Sequence, residues 1–249
     1  MSTMNEMLQD LLNAGVKWEL SDTAIGFLSD LEPGTVTPTR TRVSTVVPPI
    51  APVAPMSVDT ARACAARPTT TSALARMISE FNHPLRGGVS NVVLPHVAQQ
   101  PNGVLIITDV PSSEDDASGK ILSGGAGDLM DKMLAAIGMS RENVHITPIV
   151  FWRTPGGRTP TRAELDLSRP FVDRFMELTE PRLVITLGTV AASEICGTDL
   201  MRTHGAETDL PGGAHAFSIY HPNYLILKPA AKAAVWTVLQ NVQNLLKSL

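Results

Sequence analysis

From about residue 73 to the C-terminus, short apolar runs of strand length alternate with stretches whose apolar residues return at helical spacing. Val104-Leu-Ile-Ile107 is the first such run, and it opens into a polar loop from Thr108 to Gly127. Leu129, Met130, Met133, Leu134 and Ile137 then form one helical stripe, closed by Gly138, a residue suited to a left-handed cap. Val144 to Phe151 reads as a second strand. Pro148 lies inside it and cannot donate to a ladder, so that position must be an edge, a bulge or the strand's end. Thr161-Arg-Ala-Glu164 has the form of a capping box, and the helix it starts runs to about Thr179, with Pro170 as a kink or restart. Arg182 to Leu187 is a third strand, Thr189 to Cys196 a short helix stopped by Gly197, and Ala216 to Tyr220 a fourth strand. Ala230 to Leu246 closes the chain as a helix with Val235, Leu239, Val242 and Leu246 on one face.

Strands that alternate with helices pair in parallel, and a parallel sheet needs helices on both faces. The expected fold is therefore a three-layer α/β/α domain over residues 73–249 with an open, mainly parallel sheet. Two segments precede it. Met4, Met7, Leu8, Leu11 and Leu12 recur at helical spacing and assign 1–32 to a short helical docking segment. Seven of the 19 prolines fall between Pro33 and Pro68, which makes 33–72 a proline-rich, disordered linker.

Composition narrows the function classes. The chain has 249 residues, 43% hydrophobic and 18% charged, enough to bury a core without staples. Its two cysteines, Cys64 in the linker and Cys196 on a helix, supply neither a disulfide framework nor a four-thiolate metal site. No apolar run approaches the roughly 18 residues that span a bilayer. The N-terminus lacks a basic start followed by an apolar block, so a cytoplasmic protein without membrane association is expected. A net charge of −4 argues against nucleic-acid binding over the whole surface and leaves room for a small, local basic groove.

In open α/β sheets ligands bind beyond the carboxyl ends of the strands. Four polar clusters sit there: Thr108 to Asp116, Arg153 to Arg158, Gly188, and Tyr220 to Tyr224. The first carries four carboxylates in eight residues, which could place a water or bind a divalent cation, or could be a solvated loop. The glycines from Gly119 to Gly127 precede a helix but match no phosphate-loop pattern. Arg153 and Arg158 flank a proline-bounded turn and could hold a backbone phosphate or be surface charge. His221, before Pro222, could stabilise a developing anion or be structural.

Taken in order, Pro111-x-x-Glu-Asp-Asp, Gly119 to Gly127, Arg141-Glu-Asn-Val-His-Ile-Thr147, Arg153 to Pro160, Leu187-Gly188 and His221-Pro-x-Tyr-Leu225 resemble the uracil-DNA glycosylase superfamily, specifically its type-4 branch. The resemblance runs from about Phe81 to Leu246. It implies that a base is extruded from DNA into a pocket and that water replaces it at the sugar C1′. Asp109 stands where the family has a water-positioning glutamate, and His221 matches the histidine near the leaving base. Ser112 replaces a glycine. Leu122 falls at the stacking aromatic and Pro148 at the asparagine that reads the uracil edge, with Asn223 as a substitute reader and Tyr224 beside it. Arg153 and Arg158 would contact DNA phosphates. The positions of the branch's cluster cysteines fall on His83, Trp152 and Ser168, so the reading is of no cofactor, no iron–sulfur cluster and no metal. Two functions stay open: removal of uracil or another damaged base from DNA, or a catalytically inactive binding protein that recruits a protein partner through residues 1–32. A metal-dependent hydrolase acting on another nucleotide, using the acidic loop, is a third.

Overall fold

The computed structural model describes residues 57–248. Five strands form one sheet: β1 (Val104–Thr108), β2 (Val144–Pro148), β3 (Leu183–Leu187), β4 (Glu207–Asp209) and β5 (His215–Ile219), in the order β2-β1-β3-β5-β4. The first four strands in that order pair in parallel, and β4 runs antiparallel to β5 at the edge. Nine helices surround the sheet among the described residues: α1 (Val58–Ala66), α2 (Thr71–Glu80), α3 (Ser113–Ser118), α4 (Gly124–Ala136), α5 (Arg162–Thr179), α6 (Thr189–Cys196), α7 (Leu200–Thr203), α8 (Pro222–Leu227) and α9 (Lys232–Ser248).

The period of two along each strand divides the core. Leu105, Ile107, Val184 and Ala216 face a cluster built with Ala61, Leu74, Phe171 and Phe175 from α1, α2 and α5. Val104, Ile106, Leu183, Ile185 and Phe217 face the other, with Met130, Leu134, Val238 and Val242 from α4 and α9. Both faces of β1, β2 and β3 are buried throughout. This is the expected three-layer α/β/α arrangement.

Pro148 is the last residue of β2, an edge strand, where its missing N–H costs no ladder bond. The apolar run continues to Trp152, but as buried irregular chain, because the proline ends the ladder. Helix α5 runs unbroken through Pro170. Strand β4 went unpredicted because Glu207-Thr-Asp209 carries no apolar signal. It exists through pairing to β5.

The linker expected over 33–72 is corrected at its C-terminal end. Pro55 and Pro68 enclose a proline-free stretch, and there α1 forms, capped by Ser57. Ala61 and Ala65, one turn apart, are buried. Arg174 of α5 donates to the Pro68 carbonyl, tying the α1–α2 junction down. Cys64 is thus on a folded helix, partly buried against the core. The helix expected within 1–32 and the rest of the linker lie outside the described residues.

Candidate functional site

The strand order reverses direction at β1: the chain passes outward to β2, then returns across the sheet through α5 to β3 on the other side of β1. At such a switch point the loops after adjacent strands diverge and leave a crevice. A cleft of about 400 Å³ opens there, lined by Asp109, Val110, Pro111, Ser112 and Ser113 after β1, Arg153 and Gly157 to Thr159 after β2, Thr189 and Val190 after β3, and His221 and Asn223 after β5. Three of the four segments singled out in the sequence contribute to it, and the fourth, Gly188, is followed by two residues that do.

Asp109 is held across the switch point. Its amide donates to the Leu187 carbonyl at 3.1 Å, and its Oδ1 accepts the Ala191 N–H at 2.7 Å. The carboxylate therefore sits on the N-terminus of α6, where unpaired amides favour negative charge. Gly188 makes the approach possible: its φ is +101°, and a Cβ there would lie 2.1 Å from Asp109 Oδ2. Burial lifts the Asp109 carboxyl to about 6, outweighing the opposing pull of the Ala191, Val190 and Thr189 amides.

His221 caps α8, with Pro222 at the first helical position. Its Nδ1 accepts the Asn223 N–H at 3.2 Å, and its Nε2 lies 3.0 Å from Thr108 Oγ1. Burial lowers its pKa to about 4, with Asp115 opposing. The ring is neutral across the physiological range, so it meets a ligand as a hydrogen-bond donor, not as a cation.

The two arginines differ. Arg153 lines the cleft without a hydrogen-bond partner among the described residues. Arg158 donates both terminal nitrogens to Glu164, at 2.8 and 2.6 Å, and also donates to the Thr159 carbonyl. That pair holds the Glu164 carboxyl near 2, and Glu164 in turn closes the capping box of α5 with Thr161. Arg158 thus lines the cleft while its guanidinium pins the turn to the helix.

Three expected pocket residues do not line the cleft. Leu122 is 3% exposed and belongs to the α4–α9 core cluster, and its backbone is left-handed at φ +50°. Arg141 donates to its carbonyl at 2.6 Å, which fixes that turn. Pro148 is buried at the end of β2 beside Thr108. Tyr224 packs on Tyr220, which stacks on His204, and its ring is partly exposed beside the cleft. Asn223 does line the cleft.

The acidic loop is mostly structural. Asp115 accepts from Ser112, Ser123 N–H and Ser123 O–H, and Asp116 accepts from the amides of Ser90 and Asn91. These carboxylates cap α3 and clamp neighbouring chain, which leaves Asp109 as the cleft's carboxylate. Thr189 and Val190 were missed in the sequence, and Thr108 was read only as the start of the first polar cluster. Their signal is only positional: each follows or ends a predicted strand.

Comparison with known proteins agrees with this geometry. Residues 95–242 match the uracil DNA glycosylase superfamily. The chain is 29% identical over 160 residues to a type-4 uracil-DNA glycosylase of Pyrobaculum aerophilum, covering 60% of this chain and 80% of that protein. Similar enzymes of the same description from Archaeoglobus fulgidus and Thermotoga maritima are 28% identical over 145 residues and 29% over 146, covering 55% and 57% of this chain and 73% and 76% of theirs.

These relatives overturn the expectation of a protein without a cofactor, because the type-4 branch to which they belong is one of iron–sulfur enzymes. The residues at the resembling positions are His83, Trp152 and Ser168. His83 and Trp152 stack at 4.3 Å, almost parallel, and Ser168 Oγ lies 3.3 Å from His83 Nε2. All three are buried, and His83 also bonds the Glu164 carbonyl and the Leu85 amide. The trio offers no thiolate, so it does not fit a cluster held as the branch's cysteines hold it, and no chemical step below runs through one. Trp152 Nε1 is buried there without a hydrogen-bond partner among the described residues.

The cleft at the switch point, the residues gathered from four strand ends and the match over more than half its length together place this chain in the uracil DNA glycosylase superfamily.

Proposed function

We propose that this protein hydrolyses the N-glycosidic bond of uracil or another altered base in DNA. The observation that carries the reading is the convergence of Asp109 and His221 on one cleft at the β1/β3 switch point. In this reading a flipped nucleotide enters the cleft. Asp109, ionised above about pH 6, orients a water and takes its proton as the water oxygen bonds to C1′. The C1′–N bond breaks and its electron pair leaves with the base. The neutral His221 donates a hydrogen bond to the oxygen on which that charge collects. Arg153 contacts a phosphate and sets the register of the strand. Asn223 is the side chain placed to read the base edge.

The exposed apolar end of α8 supports a nucleic-acid ligand. Leu227 is 77% exposed and Ile226 47% exposed, a few residues past His221. Apolar side chains so placed can wedge into a base stack and hold open the space a flipped nucleotide leaves.

The purified full chain incubated with a single-stranded oligonucleotide bearing one uracil, then cleaved with alkali, tests this. Strand scission at the uracil position is expected, and its loss in Asp109→Asn ties it to the cleft. Intact strands at stoichiometric protein, for uracil and for oxidised or deaminated purines alike, would replace this reading with that of a binding protein.

A further inference from the structure

Thr108 ends β1 and is buried. Its ladder neighbours are Pro148 on β2 and Leu187 on β3, and neither has a polar side-chain atom. A buried hydroxyl needs a hydrogen-bond partner, and Thr108 Oγ1 has it in His221 Nε2 at 3.0 Å. The direction of that bond is set from the other side of the ring. Nδ1 accepts the Asn223 N–H, so in the neutral imidazole the proton resides on Nε2 and is donated to the threonine oxygen. Threonine is stiff at χ1, and here it stands on a strand flanked on both sides by others. The ring plane of His221 is therefore fixed from one side by a helix N-terminus and from the other by the middle of the sheet.

We infer that Thr108 is a positioning residue for the glycosidic reaction, holding the Nε2–H of His221, whose tautomer the Asn223 amide sets, at the orientation the leaving base requires. The inference rests on the role given to His221 above. In the free protein the Thr108 hydroxyl is the acceptor of the Nε2–H. When a base is bound, the oxygen that gathers charge approaches the same Nε2–H from the cleft and shares it with the threonine oxygen, so the Thr108 contact persists. No proton changes owner and no tautomer shift is needed, so the donor is preorganised.

Two readouts on the full chain test this. Nitrogen-15-edited spectra at pH 7 should show a slowly exchanging Nε2–H and an unprotonated Nδ1 for His221, assigned by their loss in His221→Gln. Thr108→Val keeps the shape and removes the acceptor, so its Nε2–H should broaden through exchange with water, while Thr108→Ser should keep it. On the uracil oligonucleotide, Thr108→Val should lower kcat about tenfold with KM within about twofold, and Thr108→Ser should restore most of the rate. An unprotonated Nε2 in the wild type would overturn the inference, as would a serine variant no better than valine, or a valine variant with unchanged spectrum and kcat. If no protein turns over substrate, the proposed function falls, while the spectra still decide the contact. If the valine variant does not fold, the wild-type and serine spectra decide it.

Discussion

Asp109 and His221 are ordinary residue types made unusual by where they are held. Burial moves the carboxyl up to about 6 and the imidazole down to about 4, so between those values the acid is only partly ionised while the histidine is already neutral. Turnover is therefore expected to rise with pH through a single limb near 6 and then to level off, because His221 has no further change to make above it. The same limb in the residual activity of Asp109→Asn would contradict this, and initial rates from pH 4.5 to 8.5 measure it. Stability carries the same signature. The folded protein binds more protons at Asp109 than the unfolded chain between about 3.8 and 6, so this residue's contribution declines as pH rises through that window. His221 has the opposite sign: the unfolded chain binds more protons between about 4 and 6.5, so its contribution is lost as pH falls. Asp109→Asn removes the first effect alone. Its melting temperature relative to wild type should climb between pH 4 and 7, by an amount worth on the order of 2–3 kcal/mol at most, while glycosidic activity falls at least about hundredfold.

The elements determine how near the reacting groups come to one another. Helix α6 begins immediately after β3, and its first amides take the carboxylate that follows β1. That juxtaposition needs a residue without a side chain between strand and helix. Gly188→Ala would meet both a backbone at φ +101° and the Asp109 oxygen at 2.1 Å. We expect about 1–3 kcal/mol of destabilisation together with loss of turnover, read by denaturant unfolding and the oligonucleotide assay. Activity retained at wild-type level would mean that the α6 N-terminus is not what orients Asp109. The loop after β2 is held differently: Arg158 and Glu164 bind it to α5, and Trp152 and His83 pack beneath it. The sequence placed two arginines in that loop. Only the fold separated Arg158, paired with Glu164, from Arg153, which lines the same cleft without a hydrogen-bond partner among the described residues.

At the scale of the whole molecule, a chain of net charge −4 has little long-range attraction for a polyanion. Binding to DNA must then depend on a few local contacts, with Arg153 the guanidinium in the cleft that no carboxylate pairs among the described residues. Arg153→Ala should raise KM severalfold, leave kcat nearly unchanged and reduce the salt dependence of binding by about one unit of slope. An unchanged slope would remove Arg153 from the phosphate path. Among the described residues no helix is long and apolar enough to cross a membrane.

Alternating periodicity was enough to specify the parallel sheet, its helices and the rim on which polar segments cluster, because burial of both sheet faces imposes a pattern that local sequence must obey. Pro148 announced an edge or a strand end, since a missing donor is a property of the residue itself. Other features depended on partners distant in the chain. Glu207-Thr-Asp209 is a strand only because β5 offers it a ladder. Residues 58–66 are a folded helix only because α5 gives Ala61 and Ala65 something to pack against. Leu122 lies in the core and not in the cleft, Arg158 serves Glu164, and Thr108 holds His221 across 113 residues of sequence. Periodicity is written locally and can be read locally. Hydrogen bonds and ion pairs between distant segments have no such local mark, and they are what the tertiary structure decided.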